Sequence, residues 1–235
     1  MKILALESSA AACSVALCED EKLIAQAFQN SGLTHSRTLM PMAESMLAQC
    51  GHALEEIDVI AVAAGPGSFT GLRIGVSTAK GLAWAGNKPC APCSTLESMA
   101  WQLAHTDGII IAAMDARRAQ VYNAVFRARN GVLERLSPDR AIGLEELEKE
   151  IKKHEERKIL VGDGAQLCYN EWQERVDNLH LAPVHLRWQT AWGVARAAVE
   201  LARADKLIPG GELTPVYHRL SQAERERLAK EQNQE

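Results

Sequence analysis

The chain has 235 residues, with 26 Lys and Arg against 30 Asp and Glu, a formal net charge of −4, 47% hydrophobic residues and 24% charged ones. That length fits one large domain or two small ones, and that composition excludes a disordered or fibrous chain. The slightly acidic balance argues against a protein that grips a polynucleotide alone, because phosphate binding needs a basic surface.

The first residues, Met1-Lys2-Ile3-Leu4-Ala5-Leu6-Glu7, do not read as a signal peptide, since the apolar run is short and Glu7 interrupts it. Nor does any stretch approach the roughly 20 apolar residues of a spanning helix. A cytoplasmic protein with no membrane partner is expected. The six cysteines, at 13, 18, 50, 90, 93 and 168, are then expected as reduced thiols.

In chain order, 2–8, 13–18 and 23–28 read as short strands, apolar or alternating, separated by small or charged turn residues. From 37 to 50, apolar residues recur at Leu39, Ala43, Met46, Leu47 and Cys50 on one helical face, and Gly51 stands at the C-terminal position. Residues 57–64 form a continuous Val- and Ile-rich run that suits a strand buried on both faces. A glycine turn and a helix to about Trp84 follow, then a strand over 88–93. Ser94 with Glu97 makes a capping box for a helix to about His105. In the second half, 109–115, 120–128 and 132–137 read as strands, 144–156 as a charged amphipathic helix, and 158–162 as a strand. Residues 165–176 and 190–206 read as helices. The tail 221–235 is charged and is expected to be a solvated helix that frays.

The most specific motif is the stretch from Asp58 to Gly75, which contains Gly65-Pro66-Gly67-Ser68-Phe69-Thr70-Gly71-Leu72-Arg73-Ile74-Gly75. It reads as a buried strand, a tight turn and a helix N-terminus, where free N–H groups can hold an anion. The spacing is neither the dinucleotide fingerprint nor a P-loop, because the third glycine falls late and no Gly-Lys-Ser/Thr follows. Two readings stand: the small residues Gly71, Gly75, Ala79 and Gly81 permit a close packing contact or partner interface, or Gly65, Gly67, Ser68 and Gly71 bind an anion. Ser68 does not fit the nucleophile elbow, which is G-x-S-x-G. The pair Cys90 and Cys93 sits in an extended Pro-containing segment, so the two thiols are expected on opposite faces and inert. No two of the seven histidines are three or four apart, so no metal site is expected.

The element order resembles that of the actin-like ATPase (ASKHA) superfamily. That resemblance implies an α/β fold of two similar lobes, each a mixed sheet flanked by helices. The lobes are expected over 1–105 and 106–213, with the tail 214–235 packing back on the first. In that superfamily an Asp-x-Gly turn ends the first strand of each lobe and admits magnesium and phosphate. Here the turns are Glu7-Ser8-Ser9 and Asp115-Ala116-Arg117, without the glycine. A bulkier turn obstructs phosphate, and each acid can instead accept a backbone N–H.

The string GPGSFTGLRIG, with Ala79-Lys80-Gly81-Leu82-Ala83 after it and the H-x-x-x-L-x-P pattern of His35, Leu39 and Pro41 before it, resembles the TsaD–TsaB family (Kae1/Gcp and YeaZ), which makes threonylcarbamoyladenosine in tRNA. Met114-Asp115-Ala116-Arg117 and Thr214-Pro215-Val216-Tyr217-His218-Arg219 extend the match over most of the chain. TsaD carries a His-x-x-x-His metal site soon after the glycine motif, and no histidine stands there in this chain. The resemblance therefore implies the non-catalytic branch: a scaffold or activator that pairs with TsaD and, through that pair, with TsaE, and reaches tRNA only in the complex. The modified base would be adenosine 37 of tRNAs reading codons that begin with adenine. No cofactor is expected on this chain alone. ATP or ADP and metal are expected in the partner subunits, and a homodimer when the chain is alone. The alternatives are an independent glycoprotease-like peptidase or a small-molecule kinase. The resemblance also implies that two helices form the partner interface. On the first, Met42, Ser45, Met46 and Gln49 share a face; on the second, Arg73, Ser77, Lys80 and Trp84 do. The competing reading places the methionines in the chain's own core.

Overall fold

The computed structural model describes residues 1–218. The expected tail helix over 221–235 lies outside them. Strands β1 (Lys2–Glu7), β2 (Cys13–Glu19) and β3 (Lys22–Gln29) form an antiparallel meander. Helix α1 (His35–Cys50) leads to β4 (Val59–Gly65), then α2 (Phe69–Gly86) and β5 (Pro89–Ser94), with β4 parallel to both β1 and β5. After α3 (Thr95–Trp101) the pattern recurs. Strands β6 (Gly108–Asp115), β7 (Gln120–Arg129) and β8 (Val132–Arg135) form a second meander. A short β9 (Arg140–Gly143) pairs with β7, and α4 (Leu144–Ile151) follows. Then come β10 (Lys158–Val161), α5 (Ala165–Trp172) and β11 (Leu179–Leu181), with β10 parallel to β6 and β11. The chain closes with α6 (Ala191–Arg203) and the two-residue β12 (Ile208–Pro209), antiparallel to β5.

The sheet orders are β12-β5-β4-β1-β2-β3 and β11-β10-β6-β7-β8. Apart from β12 and the side pairing of β9, each sheet runs fifth, fourth, first, second, third in its own strand order. The duplicated α/β architecture of the actin-like fold is thus visible in topology, although the two halves share no sequence pattern.

Strand periodicity divides each sheet into two cores. On the first sheet Leu4, Leu6, Val15 and Val62 face α1 and α2, while Ile3, Ala5, Ala16 and Ala61 face α6. On the second, Ile109 and Ile111 face α4 and α5 around the fully buried Trp172, and Ile110 and Ala112 face Leu96 and Met99 of α3. The result is five layers, with α6 and α3 packed together between the sheets. Their approach is close: a Cβ on Gly193 of α6 would overlap the Ser98 carbonyl of α3.

Lobe membership therefore does not follow chain order. Helix α3, expected with 1–105, packs on the second sheet, and α6 with β12, expected within 106–213, belongs to the first. The apolar faces decide this, since Leu96 and Met99 match the second sheet and the Ala-rich stripe of α6 matches the first. Among the described residues no helix is long and apolar enough to cross a membrane.

Candidate functional site

The glycine turn is built against the chain's own β1–β2 connection. Strand β4 ends at Gly65, which has φ +141°, and the Gly65–Pro66 peptide is cis. Ser68 is the N-cap of α2, its Oγ accepting from the Gly71 N–H at 3.4 Å. A Cβ on Gly67 would stand 2.5 Å from the Ser9 carbonyl oxygen, and one on Gly71 would overlap the Ser8 carbonyl. Two hydrogen bonds lock the contact: the Ser68 N–H donates to Ser9 O at 2.7 Å, and Ser8 Oγ–H donates to Gly71 O at 2.9 Å. Gly67, Gly71 and Gly75 are glycines because the Ser8–Ser9 turn presses on the helix at those points. This supports the packing reading of the motif. Ser68 has no histidine or carboxylate bonded to it among the described residues, and its hydroxyl serves the helix cap.

The outer side of the same turn carries the residues after α6. The Val216 N–H donates to Ala64 O at 2.7 Å, and a Cβ on Gly65 would overlap the Val216 carbonyl. Tyr217 stacks on Phe69 with ring centroids 4.5 Å apart and planes 11° apart, and Arg73 Nε donates to its hydroxyl at 3.0 Å. Of the tail expected to return to the first lobe, Val216 and Tyr217 are the residues with these contacts to β4 and α2, and 219–235 fall outside the described residues.

Glu7 and Asp115 occupy equivalent turns and do the same local work. Glu7 Oε1 accepts the Ser9 N–H at 2.6 Å, and Asp115 Oδ1 accepts the Arg117 N–H at 2.6 Å. Their settings differ. Asp115 is exposed, whereas Glu7 is fully buried and its Oε2 has no hydrogen-bond partner. Burial pushes the Glu7 carboxyl up to about 7; its bonds to Ser9 oppose the shift, and the charge of Asp163 adds to it. Asp163, just past β10, is itself raised by burial and accepts from Gln189 Nε2 at 3.1 Å. Gln189 Oε1 and Thr190 Oγ1, at the start of α6, are also buried without partners. The sequence reading missed Asp163 and Gln189; the only signal was the Gly162-Asp163-Gly164 triplet after an apolar strand.

The nucleotide implied by the fold does not fit this turn. The Ser8 carbonyl leans into α2 at Gly71, the Ser9 carbonyl leans on Gly67 just before it, and no glycine opens the turn to phosphate. Among the described residues no group of three or more His, Cys, Asp or Glu is placed to hold a metal. Cys90 and Cys93 are buried on opposite faces of the first sheet, and burial raises both thiols. His35 is half-buried, with Nε2 2.7 Å from Ala10 O.

The two candidate helix faces differ. Met42, Ser45, Met46 and Gln49 do come together, lining a hollow of about 190 Å³ against β3, and Gln49 Nε2 donates to Ser45 Oγ at 2.8 Å. However, Met46 is only 6% exposed and packs with Leu39, Ala43 and Leu47, so it belongs to the chain's own core. Met42 is half-buried, and only Ser45 and Gln49 are exposed. On α2, Arg73, Ser77 and Trp84 are exposed, Trp84 at 89%, and Lys80 is half-buried. Nothing lies within 4 Å of a Cβ built on Gly81. One face of α2 is thus pressed on the Ser8–Ser9 turn and the first sheet; on the other, Tyr217 meets Phe69 and Arg73 and Gly211 meets Lys80, while Ser77, Gly81 and Trp84 are exposed.

A family model described as "TsaD: tRNA N6-adenosine threonylcarbamoyltransferase" matches residues 29–183. A Bacillus subtilis protein named tRNA threonylcarbamoyladenosine biosynthesis protein TsaB is 36% identical over 167 residues, 71% of this chain and 73% of its own length. An Escherichia coli protein of the same name is 39% identical over 135 residues, 56% of this chain and 58% of its own length. Among solved structures, YeaZ from Pseudomonas aeruginosa superposes with a TM-score of 0.78 at 25% identity, covering 92% of this chain and 99% of that one.

Proposed function

The chain belongs to the TsaB family of tRNA threonylcarbamoyladenosine biosynthesis proteins, and from that premise we propose that it is a non-catalytic subunit in the formation of this nucleoside. Its role is to hold and activate the catalytic subunit TsaD, and through that pair to engage TsaE. The reaction it serves attaches a threonylcarbamoyl group to N6 of adenosine 37 in tRNAs that read codons beginning with adenine. ATP or ADP and metal belong to the partner subunits, and tRNA is met only in the complex, in keeping with the net charge of −4. Alone, the chain pairs with a second copy.

The observation that carries this reading is the two-sidedness of α2. Gly67 just before it and its own Gly71 and Gly75 serve internal packing against the Ser8–Ser9 turn, while Arg73, Ser77 and Trp84 are exposed on the other side. Gly81 lets another backbone approach closely.

The test is reconstitution. A TsaD homologue, TsaE and unmodified tRNA are assayed with and without this chain, and with Ser77→Glu. Ser77 is exposed, so the variant is expected to keep its circular dichroism spectrum, lose association with TsaD and fail to support modification. Modification by this chain without TsaD would overturn the non-catalytic role. Normal TsaD binding by the folded Ser77→Glu variant would remove α2 as the interface.

A further inference from the structure

Beyond the end of that outward face lies a groove of about 740 Å³ between the C-terminal half of α2 and the segment 207–211. Its origin is local. In the β5–β12 pair, Pro209 stands opposite Pro89, and neither residue has an N–H to extend the ladder. The chain therefore turns away at Gly210 and Gly211, and Gly210 can pass close enough to α2 that a Cβ on it would lie 2.9 Å from Ala83 Cβ. The gap that remains is apolar at its base, with Ala83, Pro89, Leu207 and Ile208, and the Trp84 indole stands at its mouth. Because prolines end the sheet at this edge, the groove is built to receive side chains and not an added strand.

Its charge is one-sided. Lys80 and Lys88 both line it. Lys80 Nζ donates to Gly211 O at 3.2 Å and Lys88 Nζ to Glu55 O at 2.7 Å, both backbone carbonyls. Neither ammonium is in an ion pair among the described residues, and each has two further N–H donors to offer. The acids on the segments that the two lysines bond, Glu55 and Glu212, are exposed, and neither carboxylate bonds either lysine. Two ammonium charges outweigh the half negative charge at the C-terminus of α2.

We propose that this groove takes an acidic segment of the same partner subunit that covers α2, with an apolar side chain on the groove base beside Trp84 and carboxylates on Lys80 and Lys88. The inference rests on α2 being the partner interface, with which the groove is continuous through Lys80, Gly81 and Trp84. It adds a second anchoring point and a charge preference. An exposed indole over an apolar floor is the kind of residue that dominates binding once a partner excludes water from it.

The experiment measures the affinity of the full chain for a purified TsaD homologue by titration calorimetry at low and at high ionic strength. The variants are Trp84→Ala, Lys88→Glu and Ser77→Glu. Trp84 is 89% exposed, so its truncation leaves the fold intact. Trp84→Ala is expected to weaken association about thirtyfold at both ionic strengths. Lys88→Glu is expected to weaken it about tenfold at low salt, with the loss shrinking at high salt. If Ser77→Glu loses binding while Trp84→Ala and Lys88→Glu bind as the parent does, the groove is not a docking site and the α2 interface stands. Should all three bind as the parent, both ideas fail. If Lys88→Glu binds TsaD normally but lowers modification at saturating TsaD, the groove serves tRNA phosphate, and the acidic-segment proposal is overturned.

Discussion

Replacing Glu7 by Gln tests the electrostatics between the lobes. Glu7 is fully buried, its Oε2 is unpartnered, and burial lifts its carboxyl from 4.5 to about 7, with Asp163 adding to the rise. A group whose folded value lies above its unfolded one holds its proton more tightly in the folded state. Stability is therefore greatest below the unfolded value, falls as pH rises from about 4.5, and levels off above about 7. A rise of that size amounts to a loss of about 3 kcal/mol over the window. An amide does not titrate and can keep the bond that Oε1 accepts from the Ser9 N–H. Asp163 and the Cys93 thiol are present in both proteins and largely cancel in the difference. Asp163 also loses a repelling neighbour in the variant, which acts in the same direction. Urea denaturation from about pH 5 to about pH 8 should show Glu7→Gln gaining about 2–3 kcal/mol on the parent as pH rises. Parallel stability curves across that window would refute the argument, because they would mean that Glu7 is solvated or paired in the folded protein.

Two glycines of the same helix should respond in opposite senses to alanine. Gly71→Ala drives a Cβ into the Ser8 carbonyl and should destabilise by about 1–3 kcal/mol, while Gly81→Ala meets nothing and should stabilise by about 0.5–1 kcal/mol, both read as shifts in thermal midpoint. Tyr217→Ala removes the Phe69 stack and the Arg73 hydrogen bond and should cost about 1–2 kcal/mol in chemical denaturation; Tyr217→Phe, which keeps the stack, should cost less than half of that. Trp172→Ala empties the centre of the α4–α5 core and should cost about 3–5 kcal/mol, enough to broaden or abolish the cooperative transition.

Hydrophobic periodicity made most elements legible, because strands and helices that bury one face write that face into the chain. Helix α1 ends at Gly51 in the left-handed conformation with φ 69°, where the sequence put the stop signal. Ser94 caps α3 by accepting the Glu97 N–H at 3.1 Å, but the Glu97 carboxylate reaches out to Arg135 at 2.6 Å and does not close the box. Strands β9, β11 and β12 went unseen, since two to four residues carry no period and exist through their partners. Helix α4 stops at Ile151 and not at 156 because its apolar stripe, Leu144, Leu147 and Ile151, ends there. Helix α5 likewise ends at Trp172, short of 176. Met46 was readable both ways. It shares the buried periodicity of Leu39, Ala43 and Leu47, and that periodicity outweighed the argument from the number of methionines. Asp163 and Gln189 come together from distant segments, so no local spacing could announce them.

The exchange of α3 and α6 between the sheets bears on the order in which the protein is made. The first sheet emerges from the ribosome early, yet the helix that covers Ile3, Ala5, Ala16 and Ala61 begins only at Ala191. At roughly 5–20 residues per second, the interval between β5 and the end of α6 is on the order of 5–20 s. During that time an apolar sheet face waits for a cover that has not been synthesised, while the second sheet already has α3 in hand and its own two helices close behind. The half of the chain made first is thus the last to be completed. Nascent chains stopped near residue 105 would be sticky intermediates that need shielding, because their missing layer is encoded near the far end of the message.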